Sequence, residues 1–192
     1  MLYKILKFII KPLFKIFLLY KVENKPKKMS QKKLIICANH ISLLDPILLA
    51  VTTDREISYM AKKELYNNKI LAFLLKKLYA FPVDRGNNDI DAVRQSIKIL
   101  KEDKLLGIFP EGTRIKNNTN RSNFKDGVAM IATRTNSDIL PVHIEGKYGL
   151  FSRIKVKYKD IINIDNYDKN DKKNIYKNIM DDVYNSIFNE NI

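Results

Sequence analysis

Cysteine is almost absent. Cys37 is the only one in 192 residues, which excludes an intrachain disulfide and, with just two histidines, the common structural zinc sites. A reducing compartment fits that usage. Tryptophan is missing and glycine is scarce, at six residues; no complete Walker A loop or G-x-G-x-x-G turn can be assembled from them. Acidic residues are in deficit: 35 Lys and Arg against 21 Asp and Glu give a net charge of +14. That balance favours an anionic partner, whether nucleic acid, anionic lipid or a phosphorylated substrate, and does not choose among them. What is present, 45% hydrophobic and 29% charged residues, suffices for one folded domain with short appendages.

Residues 2–20 are apolar apart from Lys4, Lys7, Lys11 and Lys15. On an α-helix these four fall within an arc of about 80°, leaving Leu2, Ile5, Leu6, Ile9, Leu13, Ile16 and Phe17 on the other side. A bilayer span would carry four lysines through hydrocarbon and a helix interrupted at Pro12, so the pattern predicts an amphipathic membrane-surface helix over residues 1–22. Lysines run through the would-be apolar region of a cleaved leader, and no small-residue cleavage pattern follows. The basic flank points to a cytoplasmic face, where anionic lipid attracts Lys.

Residues 23–33 read as a polar linker, and 34–192 as the main domain. Leu34–Ala38 is an unbroken apolar run, as in a strand buried on both faces. Further strands are predicted at 56–60, 78–83, 105–109 and 139–144, with a polar edge strand at 153–159. Helical periodicity lies between them. Asn88 or Asp89 can cap a helix bearing Ile90, Val93, Ile97 and Leu100; Val128, Ile131 and Ala132 mark another, and Ile175, Ile179, Val183 and Ile187 a terminal one. The alternation predicts an α/β fold: a single layered domain with a largely parallel central sheet flanked by helices. Ligands then bind beyond the strand C-terminal ends.

Polar residues cluster at those ends. In Asn39-His40-Ile41-Ser42-Leu43-Leu44-Asp45-Pro46, His40 and Asp45 can meet if His40 sits in a loop and Asp45 starts a helix, for which Asp45 as N-cap and Pro46 as first helical residue are suited. A His held by a carboxylate has a fixed tautomer and can act as a general base; a plain cap and a satisfied loop histidine are the structural alternative. Phe109-Pro110-Glu111-Gly112-Thr113-Arg114 supplies what a phosphate pocket needs: Gly112 for close backbone approach, the Thr113 hydroxyl, and the Arg114 fork. Arg85 follows Phe81-Pro82-Val83-Asp84, Lys125 precedes Gly127 before a helix, and Ile139-Leu140-Pro141-Val142 could line an acyl groove.

In this order the motifs resemble those of the lysophosphatidic acid acyltransferases, the 1-acyl-glycerol-3-phosphate acyltransferase family. The resemblance runs from about Leu34 to Gly146 and rests on Asn39, His40 and Asp45 (N-H-x4-D), Phe81 to Arg85, Phe109 to Arg114 (F-P-E-G-T-R) and Ile139 to Val142; Ala61 to Leu65 adds a weaker likeness. It implies that His40, oriented by Asp45, deprotonates the sn-2 hydroxyl of lysophosphatidate. That hydroxyl then attacks the thioester of acyl-CoA or acyl-carrier protein directly, giving phosphatidate for phospholipid synthesis. It also implies that Arg85, Glu111, Gly112, Thr113 and Arg114, with Lys125 nearby, bind the acceptor. No ligand spacing in the sequence supports a metal site, and no cofactor is expected. The expected location is the cytoplasmic face of the cell membrane, peripheral or monotopic, against an anionic lipid surface.

Another lysophospholipid or lipid acceptor is the nearest alternative. A non-catalytic basic module would explain the charge, but no groove-reading helix or RNA-binding signature is recognisable, so nucleic acid is not an expected partner. Cys37, inside an apolar strand, reads as packing and not as a nucleophile. His143, within another strand, reads as structural.

Overall fold

The computed structural model describes residues 2–27, 29, 32–84, 89–115, 120–171 and 173–189. In chain order its elements are α1 (Leu2–Phe17), β1 (Lys21–Glu23), β2 (Leu34–Ala38), α2 (Asp45–Thr52), β3 (Ile57–Lys62), α3 (Lys69–Lys77), β4 (Ala80–Val83), α4 (Ile90–Lys101), β5 (Leu105–Ile108), α5 (Gly127–Thr135), β6 (Asp138–Gly146), β7 (Ile154–Tyr158) and α6 (Ile175–Phe188).

The strands form one sheet in the order β1-β7-β6-β2-β5-β3-β4. From β6 to β4 every neighbouring pair is parallel. β7 turns back antiparallel to β6, and β1 runs parallel to β7. The expected α/β layers and largely parallel sheet are thus present. β2 lies between β5 and β6 and is buried along its whole length, which accounts for its apolar run. Its residues point alternately to two cores. Ile35 and Cys37 join the one built with α4, α5 and α6, whereas Leu34, Ile36 and Ala38 join the one that includes α2 residues Leu48 and Leu49 and, from α1, the partly buried Ile10 and Phe14.

Three local expectations are corrected. The stretch taken as linker follows directly on β1 and includes its last residue, Glu23; this three-residue strand exists because β7 offers it a ladder, and Lys-Val-Glu alone carries no strand signal. β7 is therefore no edge strand: Ile154, Val156 and Tyr158 are buried on one face and only the intervening lysines reach outward. The strand expected from residue 78 begins at Ala80, because Leu78 and Tyr79 close α3, with Tyr79 at φ 59°.

α1 is amphipathic in three directions. Tyr3 is buried, and its hydroxyl oxygen accepts the Ile57 N–H at 3.4 Å. Lys7, half-buried, donates to the carbonyl of Thr53, and burial lowers the pKa of its ammonium group. The outward surface carries Ile5, Phe8, Ile9, Leu13 and Ile16, with Phe8 82% exposed. Among the described residues, no helix is long and apolar enough to cross a membrane.

Candidate active site

Register brings the site together. β2 and β5 pair with Cys37 opposite Ile108, so the segments leaving their C-terminal ends emerge side by side. His40 lies on one and Glu111 on the other, and the His40 N–H donates to Oε1 of Glu111 at 3.2 Å. The next strand across is tied in by Asn39, whose side chain donates to the Ile144 carbonyl at 2.9 Å and accepts from the Ile144 N–H at 2.7 Å. These bonds place the His40 segment between β5 and β6.

His40 Nδ1 and Asp45 Oδ2 are 2.8 Å apart, with both side chains buried. Asp45 does not cap α2. It is the first helical residue, and its carboxylate turns back to accept the N–H groups of Ile41 and Ser42, both at 2.7 Å. Pro46 follows, where the missing N–H costs no intrahelical bond. Because an ionised carboxylate can only accept, Nδ1 carries the proton and Nε2 the lone pair. The Phe109 ring stacks on the imidazole at a centroid distance of 4.2 Å. A fourth donor, the hydroxyl of Tyr148, reaches Asp45 Oδ1 at 2.6 Å.

The Glu111 carboxyl is buried, and its Oε2 has no hydrogen-bond partner among the described residues. Desolvation raises its pKa to about 7, against the lowering effect of backbone N–H bonds from Glu111 and His40. The turn is closed by the Gly112 N–H, which donates to the Phe109 carbonyl at 3.0 Å, and Gly112 adopts φ 66°, a region that disfavours any side chain. Its N–H is thus committed to the turn and not to an anion. The Lys125 side chain lies over this glycine: a Cβ there would stand 3.3 Å from Nζ.

A model of the family described as "Acyltransferase" matches residues 19–145. The chain belongs to the acyltransferase family. It is 37% identical to the 1-acyl-sn-glycerol-3-phosphate acyltransferase of Bacillus subtilis over 71% of this chain and 69% of that protein. It is 36% identical to the one from Streptococcus pneumoniae over 64% of this chain, where it spans only about half of the relative, 46%. The fold is also that of the crystal structure of the 1-acyl-sn-glycerophosphate acyltransferase from Thermotoga maritima, with a TM-score of 0.72, 24% identity, and coverage of 95% of this chain and 78% of the other.

Among the residues singled out in this acyltransferase, His40, Asp45 and Glu111 meet at the strand ends, and Gly112 and Lys125 meet each other beside them. Thr113 and Arg114 are exposed. Arg85, like the alternative cap Asn88, lies outside the described residues; α4 is capped by Asp89, which accepts from the Ala92 N–H, and Asp84 pairs with Lys63. A cavity of about 920 Å³ runs from Phe109, Pro110 and Gly112 between α4 and α5, past Ile90, Val93 and Val128. Ile139 to Val142 do not line it: all four are buried within the sheet, between β2 and β7, because β6 is an inner strand.

Cys37 is fully buried, and desolvation raises its thiol well above the ordinary range, with the Glu111 charge acting in the same direction. It is unsuited to nucleophilic attack. The His143 ring makes an edge contact with Phe188 of α6, a packing role. Sequence reasoning missed Tyr148. It lies 103 positions from Asp45, and no local pattern signals a hydrogen bond at that separation.

Proposed function

We propose that the chain is a 1-acyl-sn-glycerol-3-phosphate acyltransferase acting at a membrane surface. The observation that carries this is the 2.8 Å His40–Asp45 pair at the end of β2, held beside the Phe109–Arg114 turn. Nε2 of His40 takes the proton of the sn-2 hydroxyl of lysophosphatidate as the hydroxyl oxygen attacks the thioester carbonyl of acyl-CoA or acyl-carrier protein. The tetrahedral intermediate then expels the thiolate, the imidazolium returns the proton to sulfur, and phosphatidate leaves. Asp45 holds the tautomer and faces the imidazolium while it exists.

Lys125, Arg114, Thr113 and Arg85 are assigned to the acceptor's phosphate, with the Glu111–Gly112 turn shaping its seat. The mainly apolar cavity between α4 and α5 is of a size to take an acyl chain. Membrane seating is supported by the outward apolar residues of α1 beside Lys4, Lys11 and Lys15, and by α3, where Ile70 and Phe73 are exposed next to Lys69, Lys76 and Lys77. The cytoplasmic face is the side on which anionic lipid would meet these lysines.

The test is acyl transfer by purified protein, with lysophosphatidate against other lysophospholipids as acceptor and acyl-CoA against acyl-carrier protein as donor. Preference for lysophosphatidate is expected. Equal or better use of another lysolipid would reassign the acceptor, and the absence of any transfer would refute the reading. His40→Ala should lower kcat by about 10²–10⁴-fold with the fold intact by circular dichroism.

A further inference from the structure

We propose that Tyr148 is a positioning residue of the reaction: through its hydrogen bond to Oδ1 it sets how strongly Asp45 holds the protonated imidazole of His40. The acyltransferase reading supplies the reaction, but the contact stands on its own geometry. Asp45 is completely buried. Its Oδ2 accepts three donors, from His40, Ile41 and Ser42, whereas among the described residues Tyr148 is the donor to Oδ1. A hydrogen bond to an ionised acceptor withdraws part of its charge, so the phenol competes with the imidazolium for the same carboxylate.

The chain is shaped to deliver this hydroxyl. Gly146 ends β6 at φ 119°, and a Cβ there would stand 2.4 Å from the carbonyl oxygen of Arg153. Only glycine allows the two sides of the β6–β7 connection to come so close. Tyr148, two residues on, is carried over the start of α2. Burial first, and then the charge of Asp45, raises its pKa, so it is a donor throughout the working range. The other titratable groups around the pair are Glu111, bonded to the His40 N–H, Tyr59, fully buried and within electrostatic reach of Asp45, and Cys37, which faces Glu111. Burial raises all three.

The chain has only two histidines, so imidazole titration by NMR on the full-length protein reads His40 directly, with His143 as internal reference. In Tyr148→Phe the titration midpoint of His40 should move to higher pH by about half a unit or more. Replacing Tyr148 with 3-fluorotyrosine, a stronger donor of nearly the same size, should move it to lower pH. This second variant keeps the test open if the first does not fold. The acidic limb of kcat/KM should follow in the same two directions. Midpoints that stay put, that move the same way in both variants, or that move equally at His143 would overturn the assignment. The titration requires no substrate, so it can fail while acyl transfer to lysophosphatidate succeeds, or the reverse.

Discussion

Glu111 shows how one side chain can serve a site at a cost to the fold. Its Oε1 receives the His40 N–H while Oε2 is buried without a partner among the described residues, and burial raises its pKa from 4.5 to about 7. Between those values the folded protein holds a proton on Glu111 that the unfolded chain has released, so the contribution of this group to stability is fullest below pH 4.5 and is lost as pH rises toward 7. The loss is at most about 3 kcal/mol. Glu111→Gln keeps an acceptor for the His40 N–H and removes the charge. It should flatten this dependence and melt at a higher temperature than wild type at pH 8, with little difference at pH 4.5. Thermal unfolding followed by circular dichroism across that range checks both. At the same scale, Cys37→Ala should leave turnover within about threefold, since the buried thiol only packs; an inactive variant would restore a covalent route.

Among the elements, Asn39 is the clasp between β2 and β6. It satisfies both backbone groups of Ile144, so Asn39→Ala leaves a buried N–H and a buried carbonyl without partners. A loss of about 2–4 kcal/mol in urea unfolding is expected, together with reduced activity as the His40 segment loosens.

The elements also show what could be read from the sequence. β2, β5 and β6 were legible because burial on both faces demands apolar runs, and α4 and α6 because one buried face imposes a helical period. β1 was not, since its three residues are a strand only by virtue of β7. α3 was not either: none of its residues is buried, so its apolar positions mark no core face. In the site, the spacing of His40 and Asp45 with Pro46 allowed the two to meet but left a plain cap and a loop histidine open, and only the resemblance to the acyltransferases favoured the pair that is present. The backward turn of the Asp45 carboxylate, the tie from Glu111 to His40 and the Tyr148 contact did not, because each depends on loops brought together by the sheet.

At the scale of the whole molecule, the outward face of α1 tests the proposed seat on lipid. Phe8 makes little use of the protein interior, being 82% exposed. Phe8→Ser should therefore leave the melting temperature nearly unchanged while weakening binding to anionic vesicles by about tenfold, read by co-sedimentation. Binding equal to wild type would discredit α1 as the anchor. Raising the salt concentration should weaken binding in both proteins, as expected for lysines near anionic headgroups.

The turn back at β7 gives the sheet a single working rim. β6 ends there, β1 begins there, and the Phe151 N–H donates to the Phe17 carbonyl at 2.7 Å, which pins the end of α1 to the same connection that carries Tyr148. On the proposed lipid seat, an amphiphile would be processed at that rim with its tails still dissolved in the leaflet. Catalysis would then be two-dimensional: diluting the acceptor with inert phospholipid at fixed bulk concentration should slow turnover in proportion to its mole fraction.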